Sequence, residues 1–234
     1  MTTARDLVRR RLLAALALIG LCGFVALGVW QLERRVWKLD LIARVDARIH
    51  AAPVPLAAVD RAAPPGEIEY RRVRVTGTYL QGRDTLVQAV TERGSGFWVL
   101  SPLRTQAGTV LINRGFVAGE RGSVRAPVPG GIVTVTGLIR LTEPGGGFLR
   151  ANDATADRWY SRDVAAIAKA RVLGPVAPFF IDADASPDRN ATPIGGLTVV
   201  RFQNTHLIYA LTWFALAGLC GFAALRILRA PDVT

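Results

Sequence analysis

The chain has 234 residues, 50% of them hydrophobic, and its 29 Lys and Arg against 18 Asp and Glu leave a formal net charge of +11. That excess is almost all arginine, since Lys38 and Lys169 are the only lysines, and no dense basic stretch with interleaved aromatics gathers it, so nucleic-acid binding is not indicated. Both cysteines, Cys22 and Cys220, fall inside apolar runs, which excludes a disulfide framework or a thiolate metal site between them and reads them as packing residues.

The first of those runs, Leu12 to Trp30, carries no charge over about 19 residues, which at about 1.5 Å per residue matches a hydrocarbon core of about 30 Å. It exceeds the apolar core of a signal peptide, about 7 to 15 residues, and no small-x-small site precedes Glu33-Arg34-Arg35, so it reads as an uncleaved anchor. Gly20, Gly23 and Gly28 would let another helix approach its backbone. From Trp30 to Ile49, apolar Leu32, Val36, Leu39, Ile42, Val45 and Ile49 recur at three- and four-residue steps, which predicts an amphipathic helix continuing outward, resting on the middle domain or on lipid head groups. Pro53, Pro55, Pro64 and Pro65 then break regular structure, and 51–67 reads as a linker.

Beyond it the period changes to two. Val73 and Val75 alternate with Arg72, Arg74 and Thr76 ahead of Tyr79, and further strands are expected at Thr85 to Val90, Phe97 to Leu103, Thr109 to Val117, Ile132 to Leu141 and Pro178 to Asp182. Turns fall at 92–96, at Gln106-Ala107-Gly108 and at 128–131, and the triplets Gly94-Ser95-Gly96 and Gly145-Gly146-Gly147, which lack a following helix and a lysine, read as turns and not as phosphate loops. One helix is expected over Arg162 to Arg171, with Asp163 at its start and Lys169 and Arg171 at its end to suit the helix dipole. Short, evenly punctuated strands predict an antiparallel sheet curled into a small barrel.

The second apolar run, Leu207 to Leu225, holds Gly218 and Gly221 and completes the layout. The expected organisation is a cytoplasmic N-terminus (1–11), a transmembrane helix (12–32), an amphipathic helix (33–50), a β-rich domain (51–203), a second transmembrane helix (204–228) and a cytoplasmic C-terminus (229–234). Arg5, Arg9, Arg10 and Arg11 before the first span, with Arg226 and Arg229 after the second, put both ends in the cytoplasm and the middle domain outside. The fold class is therefore an α+β membrane protein, two transmembrane helices flanking an extracytoplasmic antiparallel β-barrel-like domain with one or two short helices.

Histidine is scarce. With only His50 and His206, neither in a strand-turn-helix setting, nucleophile-triad hydrolysis is disfavoured, and no compact acid or base cluster points to an enzyme. His206 stands out for its place. Asn204 can cap the second span, which would set His206 in the first turn at the outer boundary, with Tyr209 and Trp213 on its face and Trp30 and Gln31 ending the first span at the same level. Two readings stay open for this group. A neutral imidazole flanked by aromatics suits axial haem ligation, and the same residues also suit simple anchoring at the membrane interface.

Four sets of residues carry a family resemblance that spans nearly the whole chain: Gly28, Trp30, Gln31, Arg34 and Lys38; Tyr70, Arg72, Val73 and Gly77; Val110 to Val117, reading V-L-I-N-R-G-F-V; and N-T-H-L-I-Y-A-L-T-W-F from Asn204. Their order resembles that of the surfeit-locus-one family of cytochrome c oxidase assembly factors, from which the chain departs mildly at Phe116 and Thr205. The resemblance implies a non-enzymatic factor of the bacterial inner membrane that binds haem a transiently and assists its delivery to the large oxidase subunit, with haem a synthase as a further partner. It implies His206 as the iron contact, with Trp30, Gln31, Tyr209 and Trp213 around the ring. Arg114, in the matched Asn113-Arg114-Gly115, would pair with a haem propionate or with an internal carboxylate, and Gly115 would permit a backbone conformation that larger residues resist. The alternative is a scaffold that docks oxidase subunits or haem a synthase without touching haem.

Overall fold

Nothing between Ala4 and His50 interrupts helical hydrogen bonding, since the first proline is Pro53 and the glycines stand singly, and in a computed structural model of the chain these residues form one unbroken helix, α1 (Ala4–His50). The expected span and the expected amphipathic segment are thus a single rod of 47 residues, about 70 Å at 1.5 Å per residue. The structure describes residues 4–60, 62–124, 126–147, 149–188, 190–200 and 202–229, so the expected cytoplasmic ends at 1–11 and 229–234 lie partly outside it.

The chain then runs through β1 (Val54–Pro55), α2 (Pro65–Ile68), β2 (Arg72–Tyr79), β3 (Thr85–Thr91), β4 (Gly94–Thr105), β5 (Gly108–Ala118), β6 (Val133–Leu141), β7 (Gly146–Gly147), β8 (Arg150–Ala151), α3 (Val164–Ala170), β9 (Val176–Ala183) and α4 (His206–Arg229). It separates into two compact units, one made of the terminal segments up to Arg44 and from Arg201 onward, the other of Val45–Val200.

The second unit is built on one sheet in the order β1-β2-β6-β9-β5-β4-β3, and an additional pairing of β2 with β4 closes the central five strands into a barrel. Closure is tight where Thr78 pairs with Arg104 and Tyr79 with Leu103, and a side chain on the adjacent Gly77 would run into the carbonyl of Arg104. The barrel is mixed where the alternation predicted antiparallel pairing throughout: β5 and β9 run parallel, as do β1 and β2. A parallel partner needs a long crossover, and the chain between β5 and β9 supplies one, with α3 at its end. Alternation reports which face a residue takes and carries no sign of strand direction.

Two cores explain the strands. The barrel interior draws on all five: Val73, Val75 and Tyr79 from β2, Leu103 from β4, Val110 and Ile112 from β5, Ile139 from β6, Phe179 and Ile181 from β9. The intervening Leu111 and Phe180 face the other way and join Val87, Leu100, Trp159, Val164 and Ile167 in a second cluster under α3. Strands buried on both faces read as continuous apolar runs, which is why Val110 to Ile112 and Phe179 to Ile181 show no polar alternation. Asp163 stands at the start of α3 as expected, and it also caps the helix, its carboxylate accepting from the Ala166 amide at 3.0 Å.

Other turn assignments shift. The β4–β5 hairpin turns on Gln106-Ala107, with Thr105 opposite Gly108. Gly94-Ser95-Gly96 opens β4 and pairs with β3 at Thr91, Val90 and Ala89, because the tight turn needs only Glu92-Arg93. Gly146-Gly147 pairs with Arg150-Ala151 as a miniature hairpin, and the proline-rich 51–67 carries β1 and the start of α2.

Candidate functional site

Within the terminal unit the helices pack antiparallel along a seam of regular spacing. On α1 the shielded positions step through Arg10, Ala14, Ala17, Leu21, Phe24, Gly28 and Gln31, and on α4 through His206, Ala210, Trp213, Ala217, Cys220, Ala224 and Ile227. Alternating steps of four and three average 3.5 residues, the repeat of a left-handed supercoiled pair. The contacts run in opposite chain directions: Arg10 donates to the carbonyls of Ile227 at 2.6 Å and Leu228 at 2.7 Å, Gly20 faces Cys220, Phe24 stacks on Trp213 with ring centroids 5.6 Å apart, and Gly28 lies under Phe214. Arg10 thereby satisfies carbonyls that the end of α4 leaves without helical partners.

Packing here is inside out by the standard of water. Small residues fill the seam, with Ala14, Ala210, Ala217 and Ala224 each buried, while Leu12, Leu16, Ile19, Ile208, Leu219 and Phe222 point outward. Such a pair would be insoluble in water and is at rest in hydrocarbon, where close approach of small residues drives helix association. Both helices are long and apolar enough to cross a bilayer, which suggests a membrane protein. Cys220 packs on Gly20, whereas Cys22 faces outward and takes no part in the seam.

At the end of the seam His206 Nδ1 lies 2.7 Å from Gln31 Oε1. An amide oxygen only accepts, so Nδ1 is the protonated nitrogen and Nε2 carries the free lone pair. Nε2 has no partner among the described residues. Trp30 and Tyr209 stand beside this pair with about half of their surface exposed. Trp213 is placed differently from its neighbours in the sequence: its ring is committed to the stack on Phe24, and its indole N–H is buried without an acceptor. The expected cap also differs. α4 starts at His206, the Thr205 carbonyl accepts from the Tyr209 amide, and the Asn204 side-chain oxygen is buried with no donor. Among the described residues no group of three or more His, Cys, Asp or Glu is arranged around a metal, so His206 could supply only a single protein ligand to an iron whose other positions are filled by a macrocycle. An imidazole tied at one nitrogen and open at the other, with exposed aromatic rings and an orphaned acceptor close by in the chain, fits such a group.

Arg114 belongs to the barrel unit. The expected internal carboxylate is not its partner among the described residues: its guanidinium donates to the carbonyls of Ala126 at 3.0 Å and Pro127 at 2.6 Å and covers the ring of Tyr79 at 5.5 Å. Side chains alternate along β5, so Arg114 and Asn113 take opposite faces, and it is Asn113 that meets the buried carboxylate. Burial pushes the Tyr79 hydroxyl up to about 12, against the opposing pull of Arg114.

Sequence reading missed that carboxylate, Asp182. It accepts from Asn113 Nδ2 at 2.8 Å and Thr198 Oγ1 at 2.9 Å and lies 3.4 Å from both Arg140 and Arg162. Arg162 also grips Glu143 with two nitrogens, at 2.5 and 3.0 Å. Burial disfavours charge on both members of that pair, but their mutual hydrogen bonds outweigh it and hold Glu143 below the usual carboxylate range. The network lines a cavity of about 660 Å³ closed by Trp98 and the segment Gly196 to Val199. Gly115, at φ +129, lets the backbone of Ile194 pair with Phe116, as its expected conformational freedom allows. Arginines matched this closely by carboxylates form a structural clasp, and nothing local in the sequence marks Asp182 as its centre.

The SURF1 family profile matches residues 18–218, a stretch holding the whole barrel and parts of both helices. Surfeit locus protein 1 of Homo sapiens is 37% identical over 215 residues, covering 82% of this chain and 69% of the human protein; the Rattus norvegicus protein of the same name is 34% identical over 232 residues, covering 88% and 73%. A SURF1-like protein of Monosiga brevicollis is 31% identical over 210 residues, covering 82% of this chain and 78% of its own. The chain belongs to the SURF1 family, a family of non-enzymatic cytochrome oxidase assembly factors.

Proposed function

We propose that this protein is a membrane carrier for haem a in the assembly of cytochrome oxidase, with His206 Nε2 as its iron contact. The observation that carries this reading is the 2.7 Å pairing of His206 Nδ1 with Gln31 Oε1, which fixes the tautomer a ligand needs and does so from the opposite helix. Haem a, as cargo, brings an iron that takes one imidazole nitrogen and a ring that needs apolar and aromatic cover. Gln31 orients the imidazole, Trp30 and Tyr209 offer exposed rings on either helix, and Trp213 acts one layer below by stacking the helices together. A single protein ligand suits a carrier, because the bond can be exchanged for one from the recipient.

On this reading the partners are the large oxidase subunit as recipient and haem a synthase as donor, the barrel is their docking surface, and Arg114 serves the barrel's integrity. The membrane is the bacterial inner membrane, with 12–32 and 204–228 as spans, 1–11 and 229–234 in the cytoplasm and 51–203 outside, in keeping with the arginines at both chain ends.

Titration of the purified protein with haem a, read by absorbance, tests the ligand. His206→Ala is expected to remove the Soret shift and weaken binding at least tenfold, and Gln31→Leu to weaken it by about 10-fold, the lower end of what loss of an orienting partner costs. An unchanged spectrum and affinity in His206→Ala rejects the carrier and leaves the scaffold that docks oxidase subunits or haem a synthase without haem.

A further inference from the structure

The end of α1 that follows the apolar run poses a charge problem. Basic residues near a span favour the cytoplasmic side, yet Arg34, Arg35 and Lys38 crowd the seven residues after the Trp30-Gln31 level, with Glu33 the one acid among them. These charges are not absorbed by ion pairs: among the described residues none of the three is part of a salt bridge. Two of them instead sit on aromatic rings, Arg34 over Trp37 at 4.0 Å and Lys38 over Phe202 at 5.4 Å.

Steps of four and seven residues bring Trp30, Arg34 and Trp37 onto one face of the helix. That face is turned outward: Trp30 is 53% exposed and Trp37 46%, with Val36 exposed next to them. At 1.5 Å per residue Arg34 stands about 6 Å beyond Trp30 and Lys38 about 12 Å. The polar layer of a bilayer is about 5 to 8 Å deep on each side, so with Trp30 at the hydrocarbon edge the guanidinium of Arg34 lies at phosphate depth. An indole at the hydrocarbon edge with a guanidinium fork above it matches a phosphodiester on its glycerol and acyl stem. The fork supplies paired donors, the Trp30 ring takes the apolar part, and Trp37 backs the fork.

We propose that Trp30, Arg34 and Trp37 form a headgroup site for an anionic phospholipid on the α1 side of the helix pair, with Arg35 adding charge from the neighbouring face. The stacking of Arg34 on Trp37 presents the guanidinium in a fixed direction, which distinguishes the site from a diffuse basic surface. It explains why positive charge is kept at this end of the span, where orientation alone would not call for it. The site rests on the membrane-spanning reading of α1; it shares Trp30 with the proposed haem contact but does not need His206.

Native mass spectrometry of the full chain in detergent, titrated separately with phosphatidylglycerol and phosphatidylcholine of the same acyl length, tests it. The wild type is expected to bind phosphatidylglycerol more tightly. Arg34→Gln is expected to lower that affinity about fivefold, and Arg34→Gln with Arg35→Gln by about the same factor again, without changing the phosphatidylcholine affinity. Raising the salt concentration should erode the preference in the wild type. His206→Ala keeps the preference if the two sites are separate, and Arg226→Gln at the far end of α4 keeps it if the attraction is local. Equal affinity for the two lipids in the wild type overturns the proposal, as does a preference that survives in the double variant or one lost equally in Arg226→Gln. Because Arg34 is exposed and makes no interhelical bond among the described residues, helical circular dichroism of the single variant serves as the check on folding.

Discussion

Two aspartates in the barrel unit show how position decides what a buried carboxylate does. Asp182 is 5% exposed and meets donors from four other segments, so its charge is matched and it ties β5, β6, β9 and the loop before α3 together. Asp84 is less well served: burial pushes its carboxyl above the ordinary value, against the pull of Ser101, Arg114 and Arg171. A raised folded-state value means that the carboxyl favours folding while protonated and costs stability once pH rises through that value. Asp84→Asn, which removes the titration, is therefore expected to raise the thermal midpoint at pH 7.5, with the gain shrinking as pH falls and gone below the unfolded-state value of about 3.9. Thermal unfolding followed by circular dichroism across that range checks it, and a gain that grows toward acid would contradict the assignment. Asn113 stood inside a recognisable motif, whereas its partner Asp182 lies 69 residues away, and no pattern in one strand announces the charge of another.

For the helices, the seam depends on small residues at particular levels. A methyl group at Gly28 would lie 2.5 Å from the Phe214 ring, while one at Gly23 would meet nothing within 4 Å. Gly28→Leu is expected to destabilise the pair by about 1 to 3 kcal/mol in detergent, seen as an earlier unfolding transition, and Gly23→Leu to leave it unchanged. Since Gln31 and His206 lie one turn beyond, Gly28→Leu should also loosen their contact and lower haem affinity together with stability. The sequence already marked both glycines as sites of close approach. Only the supercoil phase, set by six alternating steps on each helix, separates the one that is used from the one that is not.

At the scale of the molecule, a water-facing barrel and a lipid-facing helix pair share one chain by packing in opposite senses, large residues inward in one unit and outward in the other. The sidedness proposed from the arginines at the chain ends can be tested directly. Both native cysteines lie in the apolar helices, so Ser123→Cys, exposed in the barrel unit, gives a unique water-accessible thiol. In intact cells it is expected to react with a membrane-impermeant maleimide, and Arg5→Cys only after permeabilisation; the reverse pattern would invert the topology.

Length, charge and periodicity were enough to determine the two long apolar helices, six of the strands, the α3 helix with Asp163 at its start and the prominence of His206, because each depends on residues adjacent in the chain. Folding decided the parallel β5–β9 pair, the Asp182 clasp, the backbone partners of Arg114 and the commitment of Trp213 to Phe24. These are pairings between distant segments, and their geometry is set by strand direction and helix phase, neither of which leaves a mark on local composition.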